Sequence, residues 1–287
     1  MHGEITALSP SRFPPLLKEI PDAPKKLYVR GTLPSYDSMW LAVVGSRAAT
    51  SYGRQALRHL IEGLRGYPVV IVSGLAYGID AEAHKAALET GLPTVAVPGS
   101  GLDWNVLYPR ANVNLAREIL KKNGALLSEF EADFKATDYS FPQRNRIMAG
   151  LCHATLVVEA KERSGSLITA RLATEYNREL LVVPGSIFSA ESRGTHQFLK
   201  LGAAAVTESA DILRALNIDV RDRISNIPKH ADLSENERRV LRLLTTPLAR
   251  DELLLELALP VSEANILLST MEIKGFIVEE LGVVRIK

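Results

Sequence analysis

The sequence predicts an α/β protein built on a doubly wound, mostly parallel sheet, with a small second domain after it. Three observations lead there. Short, mostly β-branched apolar runs at 41–44, 69–72, 94–97, 125–128, 155–159 and 180–183 alternate with longer amphipathic segments at 51–64, 79–90, 114–122, 144–152 and 166–177. Such alternation suits a parallel sheet with helices on both faces. It stops near Leu216, where "NIDVRDRISNIPKHAD" is polar and turn-rich, as a linker is. A different pattern of three helical segments and a strand pair follows.

Residues 1–40 are rich in proline and lack sustained periodicity, so they read as an N-terminal arm packing on the main domain. Residues 41–217 form this Rossmann-like α/β domain, and 218–230 the linker. Right-handed crossovers gather the turns after its strands on one edge of the sheet, where binding is expected. Residues 231–287 form the second domain. There, Ser234 with Glu237 three residues on is a capping-box signature opening "LSENERRVLRLL". "RDELLLELAL" and "VSEANILLSTMEIKG" supply two more helices, and "FIVEE" and "VVRIK" flank Leu281-Gly282 as a wing. Three helices and a wing make a winged-helix module.

Composition excludes several classes. No apolar stretch approaches the ~20 residues of a membrane-spanning helix, and "MHGEITALSP" lacks the basic-then-apolar layout of a leader. Cys152 is the only cysteine, so no internal disulfide forms; it reads as a buried core residue of a cytoplasmic protein. The net charge of +1 hides an uneven distribution. From Ala231 onward there are seven Lys/Arg against ten Asp/Glu, a balance of −3; the first 230 residues carry 27 against 23, or +4. A polyanion site is expected in those first 230 residues.

Four turns at the binding edge carry the chemistry. In "VVGSRAATSYGRQAL", Gly45 ends a strand and Arg47 stands where a dinucleotide fold puts its second glycine. Gly45, Ser46, Arg47 and Ser51 combine backbone donors, a helix start and a planar guanidinium, a set that suits an anion. In "SGLAYGIDAEAH", Gly74 and Gly78 allow close backbone approach. Asp80 and His84 share a helix face there, either as an acid–base pair or as structural groups. In "FPQRNRIMAG", Pro142 sets an extended approach and Arg144, Asn145 and Arg146 open a helix. Two arginines at that helix end oppose its macrodipole and point to a bound anion, while Phe141 is a base-stacking face or a core residue. In "EAKERSGSLITA", Lys161, Arg163, Ser164, Gly165 and Ser166 form a phosphate-cradling turn without the G-x-x-x-x-G-K-[ST] of an NTP hydrolase.

Metal-binding and esterase signatures are missing, and His2, His59, His84, His153, His196 and His230 show no ligand spacing, so neither a metal nor a cofactor is expected. Several anion turns in series suit a chain of phosphates better than one small cofactor. An arginine in the first turn fits a phosphodiester backbone, which presents one charge per nucleotide.

Together with "VAVPGSGLDWNVLYP" and "VPGSIFSAESRGTHQFLKLGA", those turns resemble the DNA-processing protein A family (DprA/Smf) in order, from about Ala7 to Ile212. The resemblance implies an extended Rossmann domain that binds single-stranded DNA, protects incoming strands in natural transformation and helps load RecA. It also implies a homodimer formed through that domain and no chemical activity. Carried over, the phosphate contacts fall at Arg47, Arg144 and Arg146, then at Lys161 and Ser164-Gly165-Ser166. Many members carry an N-terminal SAM-like domain; the match here is that of a short form without it, and the small winged helix varies across the family.

Two alternatives compete. A Rossmann-type phosphoribohydrolase acting on nucleoside monophosphates would show P-G-G-x-G-T-x-x-E, but the P-G turns here read "PGSGLD" and "PGSIFS", with no glutamate at that spacing. A winged-helix transcription factor would need a basic recognition helix, whereas "VSEANILLSTMEIKG" has one lysine and two glutamates.

Overall fold

The computed structural model describes residues 4–219, 234–244, 247–280 and 282–286. It divides into two compact units, Met1–Val220 and Arg221–Lys287. Of the expected linker 218–230, residues 220–230 lie outside the described residues.

The first unit is a nine-stranded sheet. Its elements are β1 (Ile5–Leu8), α1 (Pro15–Lys18), β2 (Leu27–Gly31), β3 (Met39–Val44), α2 (Ser51–Glu62), β4 (Val69–Ser73), α3 (Ile79–Thr90), β5 (Thr94–Ala96), α4 (Val113–Lys121) and β6 (Ala125–Ser128). They continue with α5 (Ser140–Leu151), β7 (Ala154–Val157), α6 (Ser166–Glu175), β8 (Glu179–Val182), α7 (Arg193–Lys200), β9 (Ala204–Ala205) and α8 (Ser209–Ala215). The strand order is β1-β2-β6-β5-β4-β3-β7-β8-β9. Strands β3 to β9 are mutually parallel, and β1 and β2 run antiparallel at the β6 edge. The chain moves from β3 outward to β6, then returns to β7 on the other side of β3. That reversal opens a crevice beyond the carboxyl ends of β3 and β7.

Why the strands read as unbroken apolar runs is visible in β3. Leu41 and Val43 join the core under α2, α3 and α8, whereas Trp40, Ala42 and Val44 join the core under α1, α5, α6 and α7. Both faces are covered, so alternation of polar and apolar residues has no place there.

Two expectations are corrected. Residues 1–40 are not an arm laid on the outside: β2 pairs with β6, from Tyr28↔Ser128 to Gly31↔Ala125, and β1 pairs with β2. Gly31 makes this possible, at φ +95°, where an added Cβ would strike the Gly124 carbonyl. At four and five residues, β1 and β2 are too short to show a period. Second, α5 begins at Ser140, four residues before Arg144. Pro142 sits in its first turn, where a missing N–H breaks no intrahelical bond, and the Ser140 hydroxyl bonds back to Thr137 N (3.0 Å) and O (2.8 Å). Both arginines therefore lie in the second turn, away from the unfavourable helix end.

The second unit comprises α9 (Glu235–Leu243), β10 (Leu248–Ala249), α10 (Arg250–Leu257), α11 (Val261–Ile273), β11 (Ile277–Glu280) and β12 (Val283–Ile286). The capping box forms: the Ser234 hydroxyl accepts from Glu237 N, and the Glu237 carboxylate from Ser234 N. Strand β10, too short to have a pattern, pairs with β12 beside β11. Val240, Leu253, Leu257, Leu268, Met271 and Val284 fill a separate core.

Candidate nucleic-acid interface

The crevice between β3 and β7 is an open cleft of about 540 Å³. Three of the four sequence-nominated turns meet in it directly. From the β3 turn come Gly45, Ser46 and Arg47; from α5, Phe141, Arg144 and Asn145; from the β7 turn, Lys161, Arg163, Ser164, Gly165 and Ser166. The fourth turn, after β4, contributes Ala76 and Asp80 to the floor.

Arg144 is the buried cation of the floor, 5% exposed. Its Nη1 donates to Val97 O at 2.6 Å, and its Nε is buried with no hydrogen-bond partner among the described residues. Burial pulls its pKa down to about 10, against the opposing pull of Asp80, so it stays cationic at neutral pH. Asp80 itself is raised by burial, offset by Arg144 and by the N–H groups of Ala76 and Gly74 that it accepts. Gly74 is required here because a Cβ would collide with the Arg144 guanidinium and the Asp80 carboxylate. Asn145, also buried, donates to Gly165 O at 3.3 Å and ties α5 to the β7 turn.

Arg47 is exposed at the cleft wall, its guanidinium carbon 5.2 Å from the centre of the Phe141 ring. That ring in turn meets Tyr108 at 5.6 Å, tilted 52°. Phe141 thus supports the arginine rather than offering a bare face, an arrangement in which a guanidinium is attracted to an aromatic quadrupole. Across the cleft, Ser164 and Ser166 share a 2.6 Å hydroxyl contact at the start of α6, whose first turn has no acidic residue. Lys161 is exposed and pairs with Glu191 at 3.1 Å, so part of its charge is already met.

Three nominated residues are placed elsewhere. Arg146 points from α5 to the opposite side, pairing with Glu129 and donating to Asp22 O; it anchors the N-terminal strands instead of lining the cleft. The reason is helical geometry, since residues two apart face nearly opposite ways. Ser51 is exposed at the start of α2 and outside the cleft lining. The α2 start is already capped, because the Thr50 hydroxyl accepts from Gly53 N while the buried Glu159 carboxylate accepts from Thr50 N (2.9 Å) and Oγ1 (2.5 Å). Gly74 lies beneath Arg144 rather than in the cleft lining. Asp80 and His84 do not act on each other: His84 is fully buried against the Thr94 hydroxyl at 2.7 Å. Burial lowers its pKa to about 3, so it is neutral. No group of three or more His, Cys, Asp or Glu suited to a metal occurs among the described residues.

Sequence reasoning missed Glu159, Tyr108, Asp138 and Thr169. Only Glu159 left a signal, as the one acid closing the apolar run "TLVVEA".

A family model for DNA recombination-mediator protein A matches residues 4–217, and one for the DprA winged helix domain matches residues 227–282. The chain belongs to the DNA recombination-mediator protein A family. Among its relatives, Protein Smf of Escherichia coli is 44% identical over 79% of this chain and 60% of that protein. DNA processing protein DprA of Streptococcus pneumoniae is 45% identical over 70% of each. The chain therefore spans less than two thirds of the E. coli protein. The crystal structure of the S. pneumoniae DprA superposes with a TM-score of 0.68 at 41% identity, covering 74% of each chain. A structure of the Helicobacter pylori DNA processing protein A, described for its single-stranded DNA binding mode, superposes at 0.66 and 31% identity over 75% of this chain and 97% of that one. Among the described residues no single helix is long and apolar enough to cross a membrane.

Proposed function

We propose that this protein is a non-enzymatic recombination mediator that binds single-stranded DNA in the β3–β7 cleft. The observation that carries this reading is the cationic Arg144 in the cleft floor together with an exposed Arg47 whose guanidinium lies over the Phe141 ring. Asp80 offsets only one of these two guanidinium charges, so the cleft floor keeps a net positive potential that favours an anion. With Lys161, Arg163 and the Ser164-Gly165-Ser166 turn on the opposite wall, cationic and hydroxyl donors line both sides of an open trough. An open trough suits a strand that enters and leaves; an enclosed pocket would suit a mononucleotide. In this reading Arg47 and Arg144 meet phosphates first, and Lys161 and the serine turn meet the next.

The H. pylori relative's single-stranded DNA binding supports the ligand class. Family membership supports the finer assignments: protection of incoming strands in natural transformation, loading of RecA in the cytoplasm, and a homodimer through the Rossmann unit.

The test is a fluorescence-anisotropy titration with a single strand and its duplex at 50 and 200 mM salt (about a fourfold change in ionic strength). Tighter binding to the single strand, weakening with salt and indifferent to base sequence, is expected. Preference for duplex, or turnover of ATP or a nucleoside monophosphate by pure protein, overturns the reading.

A further inference from the structure

Phe141, the ring the sequence offers for base stacking, already carries the Arg47 guanidinium on one side and Tyr108 on another. The bases of a bound strand then need another apolar surface. The loop after β8 presents one. Phe188 is 91% and Ile187 75% exposed, adjacent in sequence and without a ring partner among the described residues. Among the described residues Phe188 is the most exposed large apolar residue.

This loop is held, not loose. Phe188 N donates to the Ser186 hydroxyl at 3.2 Å, Ser189 N to Ser186 O at 3.0 Å, and the Ser189 hydroxyl accepts from Glu191 N. Tyr52 Oη donates to Pro184 O, and the His196 imidazole meets Gly185 O at 3.1 Å. A fixed backbone that presents two adjacent large apolar side chains to solvent offers a patch for something to cover.

Its place in the sheet says what that is. β8 is the parallel neighbour of β7, with Val157 opposite Val182, so the two loops leave the same edge about 4.8 Å apart. They are joined directly: Ala160 N donates to Glu191 O at 2.7 Å, Gly194 N to Ala160 O at 2.8 Å, and Lys161 pairs with Glu191. The exposed cations Lys161 and Arg163 stand on the cleft side, and exposed Arg193 follows the loop. Read along the edge, the order is Arg47, then Lys161 and Arg163, then Phe188: phosphate donors followed by an aromatic face.

We infer that the β8 loop is a second part of the nucleic-acid interface, where Phe188, flanked by Ile187, stacks on a base of the strand leaving the cleft past Lys161. This rests on the single-strand reading above. Stacking on an aromatic face is tolerant of sequence, as a mediator requires.

The experiment uses the full chain and thymidine oligomers from about 4 to about 16 nucleotides. Phe188→Ala is expected to bind the shortest oligomers like the parent and the long ones about tenfold more weakly. Phe188→Trp is expected to keep the long-oligomer affinity, with its added emission quenched only by long oligomers. If Phe188→Ala matches the parent at every length and Phe188→Trp emission is unmoved, while Arg47→Ala is impaired, the inference fails and the cleft reading survives. If the parent binds no oligomer, the cleft reading itself has failed. Loss of self-association in Phe188→Ala by sedimentation, with DNA affinity intact, would instead assign the loop to a second copy of this chain and overturn the proposal.

Discussion

Two faces of one helix divide the labour of α5. Arg144 and Arg146 are two residues apart in an "RNR" triplet and look equivalent in the sequence. Arg144 turns to the cleft floor, beside Asp80 and under Arg47; Arg146 turns to the N-terminal strands and is satisfied by Glu129 and Asp22. The same cation is therefore left partly free on one face and fully neutralised on the other. What separates the two is how many carboxylates the fold brings: Asp80 alone beside Arg144, but Glu129 and Asp22 on Arg146. Two helix starts on the binding edge repeat the lesson. Glu159 and Thr50 fill the start of α2, while only hydroxyls stand at the start of α6.

The largest effect is expected at Arg144. Replacing it by Met removes the donor to Val97 O and leaves Asp80 buried with less compensation, costing about 3 kcal/mol of stability. DNA affinity should fall at least tenfold. Adding Asp80→Asn should recover stability by denaturant titration but not binding; recovery of both would mean that Arg144 serves only the fold.

Arg47→Ala tests the exposed side of the same face. The loss of a charged hydrogen bond is worth ~1.5–3 kcal/mol of binding, and unfolding midpoints should not move. Unchanged affinity in this variant would remove Arg47 from the interface.

On the opposite face, Arg146→Ala should do the reverse. Glu129, whose pKa burial already raises against the pull of Arg146, loses its main partner, for about 2 kcal/mol of stability. Single-strand affinity, measured well below the melting temperature, should stay within about twofold. A loss as large as that of Arg47→Ala would break the contrast.

A milder effect comes from α3, where Asp80 turns to the cleft floor and His84, one turn on, to the core. Burial depresses the His84 pKa from 6.5 to about 3. The unfolded chain therefore binds the proton first, and stability falls as pH drops from 6.5 toward 3, by about 1.4 kcal/mol per unit in mid-range. His84→Gln, which can keep a bond to Thr94, should lose less stability than the parent between pH 7.5 and 5.5. Parallel pH profiles would show that His84 is already protonated in the fold.

The smallest effect is expected from removing residues 231–287. Lys274 is paired with Glu237, Arg250 with Glu279 and Arg242 with Glu235, so three of that segment's cations are already met. A truncated chain ending near Arg223, checked for folding and oligomeric state, should bind a single strand like the full chain. A tenfold loss, ~1.4 kcal/mol, would place DNA on the winged helix.

Much of this molecule could be read in its residues. The apolar runs mark β3 to β8 to within about two residues, because a strand buried on both faces must be apolar throughout. The capping box marks the start of α9, because its two hydrogen bonds are local. Turn chemistry also brought Arg47, Arg144, Lys161 and Ser164-Gly165-Ser166 forward, since glycines and donors at strand ends are themselves local signals. β1 and β2 escaped such a reading because they are four and five residues long and stabilised by pairing with β6, a partner far away in the chain.

What only the tertiary structure decided is which polar groups are already spent. Sequence alone determined a parallel α/β sheet with anion-suited turns along one edge, because hydrophobic period and turn chemistry act over a few residues. It left Arg146 equal to Arg144, Ser51 equal to Ser166 and Phe141 free to stack. Glu129 reaches Arg146, Glu159 reaches Thr50 beside Ser51 and Arg47 reaches Phe141, each from another element, and they decide otherwise, since the energy of a charge or a ring depends on what faces it across space.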